Sequence, residues 1–246
     1  MVTNMGFYFT TMKEVRGGKF VWWADTNPTL KKNQLLGGDL LNPKKGFDHF
    51  YAGQLGKYVP GGGLSADTEG ITIFRAFKPT AASSGTTITL SATGWDDAPE
   101  EGMLIMVAPQ TLKTTTQVAD TTTGEVTTTV SDVTGQSTKI TAVAYDKENQ
   151  IFTVTVDTAL TVLATDILVE AKGTAASDEA TVLVDYVNFW VVADTDLMPT
   201  EKFGITDGKY YMSGVSGCAA YIGRMQPLPA YILKQNKSLI DGVFEL

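Results

Sequence analysis

The 246-residue sequence contains one cysteine, Cys218, and one histidine, His49. A single cysteine cannot form a disulfide within the chain, and a zinc site made of Cys and His ligands would need more of both. Neither residue has a recognisable catalytic partner beside it, so we expect a small buried thiol and a structural imidazole, with a pH-sensitive contact of His49 as the alternative. The sequence therefore predicts no catalytic residue, no metal site and no cofactor.

Charged residues and long apolar runs are also scarce. Only 19% of the residues are charged, and no window approaches the roughly eighteen apolar residues that a membrane-spanning helix needs. Residues 1–7 do not lead from a basic segment into an apolar one, so no secretion signal is expected. The net charge of −8 disfavours nucleic-acid binding, because phosphate backbones are bound by clustered Lys and Arg. We expect neither a nucleic-acid nor a membrane partner.

The sequence is rich in short runs of Thr, Val, Ile and Ala. Within residues 86–108, an alternating polar and apolar run over 86–92 precedes a continuous apolar run over 103–108. Residues 150–171 repeat this order. Alternation is typical of a strand with one buried face, and a continuous apolar run of a strand covered on both faces. The pattern predicts two strand–loop–strand units, which could be related by duplication.

Between these units lies a threonine-rich stretch. Residues 114–118 and 125–130 are predicted to be strands joined by a turn over 121–124. β-Branched residues fit a pleated strand better than a helix, so the composition favours a sheet. A disordered linker over residues 111–138 is the alternative, against which the interleaved valines argue.

The expected fold is mainly β, with a small antiparallel β-barrel or sandwich body and extended, loop-rich N- and C-terminal arms. Residues 37–64, rich in Gly, Pro and aromatics, are expected to form an irregular loop, and residues 71–77 a continuous strand. We divide the chain into an N-terminal arm and loop region (1–69), a central β domain (70–192) and a C-terminal docking segment (193–246).

Three features together resemble a bacteriophage head protein. They are the loop over residues 40–63 before the strand at 71–77, the two strand–loop–strand units, and the tail from Gln226 to Leu246. The sequence is similar in style to auxiliary or decoration capsid proteins and head-fibre bases of tailed phages, the crAss-like phages above all.

The resemblance implies a non-enzymatic structural virion protein that decorates or stabilises a capsid shell through apolar arms and loops. Its partners would be the major capsid protein and neighbouring virion proteins, and its location the virion head after synthesis in the bacterial cytoplasm. Self-association is left open.

Aromatic and apolar residues in loops and terminal segments are the candidates for partner binding, because they exclude water at an interface. They are Trp22, Trp23, Phe47, Phe50, Tyr51, Tyr58, Tyr231, Ile232, Leu233, Phe244 and Leu246.

Two other function classes are alternatives to a structural virion protein. The first is a carbohydrate- or receptor-binding module of the head-fibre or adhesin type, with Trp22, Trp23, Trp95 or Trp190 as stacking groups. The second is an enzyme with paired carboxylates, at Asp96–Asp97 or Glu100–Glu101. Neighbouring acids on one turn do not create the cleft that glycosidase chemistry requires, so we expect no enzyme.

Overall fold

The computed structural model describes residues 32–42, 49–50, 54–65, 67–92, 97–176, 178–183, 190–192, 196–197, 210–216 and 226–235. Within them the fold is mainly β, as predicted, with several antiparallel pairings and one short helix. The strands are β1 (Lys32–Leu40), β2 (His49–Phe50), β3 (Leu55–Val59), β4 (Gly70–Ile73), β5 (Ala76–Phe77), β6 (Thr87–Ser91), β7 (Leu104–Val107), β8 (Lys113–Ala119), β9 (Val126–Asp132), β10 (Ser137–Asp146), β11 (Ile151–Val156), β12 (Leu168–Lys172), β13 (Thr181–Val182), β14 (Trp190–Val192), β15 (Asp196–Leu197) and β16 (Tyr210–Ser216), and the helix is α1 (Ala230–Gln235).

The first sheet joins strands from distant parts of the chain in the order β1, β16, β14, β3, β4. β1 is antiparallel to β16 over seven residue pairs, and its last residues, Asp39 and Leu40, run parallel to β4. Each strand thus has two neighbours and the pairings form a ring. Tyr58 and Tyr210 pack against the small apolar cluster of this sheet, formed by Leu36, Leu40, Ile71 and Ile73.

The first sheet corrects the prediction of an irregular loop over residues 37–64, because the last four residues of β1 and all of β3 lie in that stretch. Glycine in β1 has a packing role. A Cβ atom on Gly38 would lie 2.7 Å from the carbonyl oxygen of Glu69, so the close approach of the chain at Gly38 excludes a larger residue. Gly38 is therefore required by the packing of β1 and does not mark a loop.

The predicted strand over residues 71–77 is divided. β4 ends at Ile73 in the first sheet, and β5 begins at Ala76 and pairs with β12 in the second. Phe74 and Arg75, both buried, make the crossing between the two sheets. The division therefore lets one continuous segment serve two sheets.

The second sheet has the order β13, β12, β7, β10, β11, β6, with β5 also beside β12. It contains both predicted strand–loop–strand units, and the corresponding strands of the two units pair with each other. The alternating strands β6 and β11 pair around Thr89 and Thr153, and the apolar strands β7 and β12 around Met106 and Val169. The strands predicted here are confirmed, which is compatible with the duplication hypothesis.

The second sheet curls around the larger apolar core. The segment after β5 continues along β6, where Thr80 donates its N–H to the Thr89 carbonyl at 2.9 Å and Ser91 donates to the Lys78 carbonyl at 2.8 Å. The segment that follows β5 therefore pairs with β6, while β5 itself pairs with β12. The core inside it consists of Phe77, Ile88, Leu90, Met103, Ile105, Ile140, Val154, Val156, Leu160, Val162 and Leu168.

The C-terminal part contains a strand and a helix. β16 has seven residues and pairs with β1 and β14. α1 begins at Ala230, directly after Pro229. Proline is compatible with the start of a helix because its missing N–H would have no helical partner there.

The first sheet takes strands from all three parts into which the sequence was divided: β1 and β3, β4 and β14, and β16. The boundaries at residues 69 and 192 stay a prediction.

Candidate functional site

β8 and β9 form a two-stranded hairpin whose residues are all exposed. The two strands pair over seven positions, from Lys113 with Asp132 to Ala119 with Val126, and every strand residue is classed as exposed. The predicted strands and turn of the threonine-rich stretch are confirmed, so the alternative of a disordered linker is wrong.

The hairpin carries three exposed valines. Val118, Val126 and Val130 are 61%, 58% and 60% exposed. Residues paired across an antiparallel ladder share a face, so Val130 lies beside Thr115 and Val126 beside Ala119 on one face, while Val118 lies on the other. Both faces therefore present β-branched, largely uncharged surface that another molecule could cover.

The tip of the hairpin is organised by Asp120. Its carboxylate accepts the N–H groups of Thr122 and Thr123 at 2.7 and 3.1 Å, and these hydrogen bonds lower the pKa of Asp120. Gly124 has a φ of +72°, a conformation that glycine adopts without strain. The tip is thus a defined turn, which extends the ordered surface to the end of the hairpin.

A groove of about 430 Å³ lies at the base of the hairpin. We call it the lysine groove. It is lined by residues of β3, of β12 and β13, and of the two ends of the hairpin: Lys57, Val59, Leu112, Lys113, Asp132, Val133, Lys172, Thr181, Val182 and Leu183. Its size is in the range of ordinary ligand sites.

The charges of the lysine groove are mostly positive. Lys113 forms an ion pair with Asp132, and this hydrogen bond and charge, with a smaller contribution from Lys172, lower the pKa of Asp132. Three lysines against one aspartate make the lining basic, on a chain whose net charge is −8.

A second cluster of polar residues is buried where the two sheets meet. Arg75, 3% exposed, donates from Nη2 to the Asn42 carbonyl at 2.9 Å. The Asn42 amide donates to the Ile73 carbonyl at 2.7 Å and to Glu170 Oε2 at 2.8 Å, and its Oδ1 accepts the Ile73 N–H at 2.9 Å. Gln226 donates to the Phe74 carbonyl at 3.0 Å. Most of these hydrogen bonds go to backbone groups. The cluster therefore holds the two sheets together.

Among the described residues, Glu170 is the carboxyl group whose pKa is raised. Desolvation by burial raises it, the Asn42 hydrogen bond and the Arg75 charge oppose the rise, and the Asp97 and Glu100 charges add to it. Of the four acids weighed for an enzyme, Asp97 and Glu100 therefore lie near Glu170, while Glu101 is exposed and Asp96 lies outside the described residues. No group of three or more His, Cys, Asp or Glu residues suited to a metal ion occurs in the ranges that the structure describes.

The predicted partner-binding residues are dispersed. Tyr231 and Ile232 lie in α1 and are 1% and 0% exposed, Leu233 is half-buried, and Tyr58 packs on the core of the first sheet. Burial and the nearby Glu69 raise the pKa of Tyr58. These four side chains contact this chain's own interior, and their binding to a partner stays a prediction.

The backbone of Phe50 pairs with Asp196 between β2 and β15. The other predicted partner-binding residues lie outside the described residues: Trp22, Trp23, Phe47, Tyr51, Phe244 and Leu246. Of the tryptophans weighed for sugar stacking, Trp190 pairs with Gly56 through its backbone, and Trp95 is also outside.

Sequence reasoning missed the lysine groove and the three valines as functional candidates. In the sequence, the three valines indicated only strands. The lack of Ile, Leu and Phe in both strands was the signal that the hairpin has no buried face. The lysines had no local signal, because Lys57, Lys113 and Lys172 belong to three strands that only the fold brings together.

Comparison with protein-family models, with curated proteins and with solved structures finds no match. Among the helical residues that the structure describes, no segment is long and apolar enough to cross a membrane.

Proposed function

We propose that this chain is a structural virion protein that decorates or stabilises the capsid shell of a tailed bacteriophage by inserting its projecting hairpin between neighbouring subunits. The observation that carries the proposal is the β8–β9 hairpin, an ordered ribbon with every strand residue exposed and three uncovered valines. The resemblance in sequence to phage head proteins supplies the kind of assembly.

The size of the hairpin supports insertion rather than simple stacking. Seven residues per strand, two strands wide, give a ribbon roughly 24 Å long and about 10 Å across, or about 240 Å² for each face. A specific interface covers about 800 Å² of each partner. Stacking one face on a second copy would fall far short of that area, whereas burial of both faces and the edges in a cleft would provide most of it.

The physical gain is the removal of apolar surface from water. Burying a valine side chain stabilises a complex by about 1.5–3 kcal/mol before entropic costs are subtracted. The paired backbone also keeps the hairpin ordered before it binds, so less conformational entropy is lost on association. A net charge of −8 keeps free subunits apart in solution before they reach the shell.

The test is co-sedimentation of the purified chain with empty heads of a crAss-like phage that lack their auxiliary protein. We expect saturable binding, and at least about tenfold weaker binding of the triple variant Val118→Asp, Val126→Asp, Val130→Asp, because three charges would have to be desolvated in the cleft.

The matched control changes three exposed apolar residues elsewhere, Leu64→Asp, Tyr145→Asp and Leu163→Asp. It adds the same charge and should bind as the parent chain does. Failure of the parent chain to sediment with the heads, or equal binding of the hairpin variant, would contradict the proposal. Binding of the parent chain to a glycan array would favour the carbohydrate-binding alternative.

A further inference from the structure

The lysine groove combines an apolar floor and a basic rim. Apolar side chains come from five positions, Val59, Leu112, Val133, Val182 and Leu183, and the three lysines stand on β3, β8 and β12. Lys57 and Val59 lie on the same face of β3, because side chains two residues apart in a strand point the same way. The lining is thus apolar and cationic together.

One wall of the groove is formed by β13, the last strand in the order of the second sheet. Leu183 donates its N–H to the Glu170 carbonyl of β12 at 2.9 Å, and Val182 stands opposite Ala171. In an antiparallel ladder, bonded and non-bonded positions alternate. The N–H and C=O of Val182 therefore point away from β12. On the same side Gly135 donates its N–H to the Ala180 carbonyl at 2.9 Å, so the segment before β10 lies against this side of the chain, and Val182 is only 8% exposed.

We infer that the lysine groove binds an extended peptide segment of a partner protein that carries carboxylate side chains between apolar ones. Its apolar side chains lie on the floor of the groove, and its carboxylates accept hydrogen bonds from Lys113 and Lys172.

Charge complementarity decides between kinds of occupant. The rim holds three lysines and one aspartate, and the Lys113–Asp132 ion pair leaves Lys172, an exposed residue, as a further cation beside it. A long polyanion such as a nucleic acid would meet repulsion from the rest of a chain with a net charge of −8. A short acidic segment gains the local attraction without that cost.

This inference is separate from the proposed function, because the groove and the hairpin faces are different surfaces and the groove can be tested on the isolated chain. The probe is the capped peptide acetyl-Thr-Val-Glu-Val-Glu-Thr-amide, titrated into the full-length ¹⁵N-labelled chain and followed by NMR. We expect saturable chemical-shift changes at the amides of Leu112, Val133 and Val182. The affinity for the peptide should fall as the salt concentration rises, because salt screens the charges.

Two comparisons give the result its specificity. A peptide with Gln in place of both Glu residues should bind at least about fivefold more weakly, and so should the Glu peptide to the Lys113→Gln, Lys172→Gln variant, because each comparison removes charge-assisted hydrogen bonds. The control variant Lys78→Gln, Lys147→Gln loses the same charge outside the groove and should bind as the parent chain does.

Three outcomes would overturn the inference. No shifts in the groove at millimolar peptide would show that it does not accept such a segment. Equal affinity for the Glu and Gln peptides would remove the role of the lysines. Inorganic phosphate that binds as tightly as the peptide and displaces it would show a simple anion site. Because no shell is present in this experiment, failure here leaves the co-sedimentation result unaffected.

Discussion

Asn42 lies just beyond the end of β1 and continues the pairing of that strand with its side chain. Its amide group donates to the carbonyl of Ile73 and accepts the N–H of the same residue, as a peptide group would in a ladder. Ile73 is fully buried, so water could not replace these bonds. One side chain therefore satisfies both polar groups on that edge of β4.

We predict that Asn42→Ala lowers the free energy of unfolding by about 2–4 kcal/mol, because it leaves a buried N–H and a buried C=O without partners. Urea denaturation followed by tryptophan fluorescence measures this. The control Asn149→Ala removes an amide from an exposed turn and should cost less than about 1 kcal/mol. Equal losses in the two variants would refute the role given to Asn42.

Glu170 should make stability depend on pH in an unusual direction. Its folded-state pKa is raised above 4.5, chiefly by desolvation. The native state therefore binds more protons than the unfolded state between 4.5 and the folded pKa, and the contribution of Glu170 to stability falls as pH rises through that window. Asp120, Asp132, Asp146 and Asp157 have lowered pKa values, and they contribute the opposite slope at lower pH.

The Glu170→Gln variant isolates this effect, because glutamine can still accept the Asn42 hydrogen bond but cannot ionise. We expect the stability of the variant relative to the parent to increase with pH above about 4.5 and then to level off. The aspartates are present in both proteins, so their slopes cancel in the difference. Thermal melts of both proteins from pH 4 to pH 8 test this, and a pH-independent difference would exclude a raised pKa at Glu170.

At the scale of the element, the β8–β9 hairpin is separable from the body. Its strand residues are all exposed, and its ends meet where Val133 donates its N–H to the Leu112 carbonyl at 2.9 Å. Leu112 is buried, so the body begins at that position.

We predict that replacing residues 113–132 by Asn-Gly, a dipeptide suited to a tight hairpin turn, leaves the fold intact and changes the free energy of unfolding by less than about 1 kcal/mol. Circular dichroism and thermal melts provide the measurement. The comparison is Ile105→Ala in the core, where a cavity should cost about 2–5 kcal/mol. A large loss on excision would mean that the hairpin is packed against the body.

Prediction from sequence succeeded where an element depends on local pattern. The strands at residues 86–92, 103–108 and 150–156 and the threonine-rich hairpin were all found, because alternation and β-branched runs specify strands locally. The pattern failed over residues 37–64, where Gly38 belongs to β1 and is required by the approach of Glu69. A sequence pattern cannot distinguish a glycine that makes a loop from one that permits close packing.

At the scale of the whole molecule, the first sheet depends on its C-terminal strand. β16 pairs with β1 along seven residue pairs and also contacts β14. Without β16, β1 keeps only the two parallel pairs with β4. The second sheet has its own core, made of residues between Phe77 and Leu168.

We predict that a chain ending at residue 209 loses amide protection in β1, β3 and β4 but keeps it in β6, β7, β10 and β11, because the two cores unfold as separate cooperative units. Hydrogen exchange with mass spectrometry measures both regions in one experiment, and the hairpin-excised chain is the control with all protection retained. Uniform loss across both sheets would show a single cooperative unit instead.

The sequence by itself determined the local elements, and its single cysteine excludes a disulfide within the chain. Alternating side chains specify strands because successive residues point to opposite faces, and that rule needs no knowledge of distant neighbours. Only the tertiary structure decided which strands share a sheet, that the hairpin stays uncovered, and that Lys57, Lys113 and Lys172 line one groove. Those features depend on contacts between residues far apart in the chain, which form only when both apolar cores are buried.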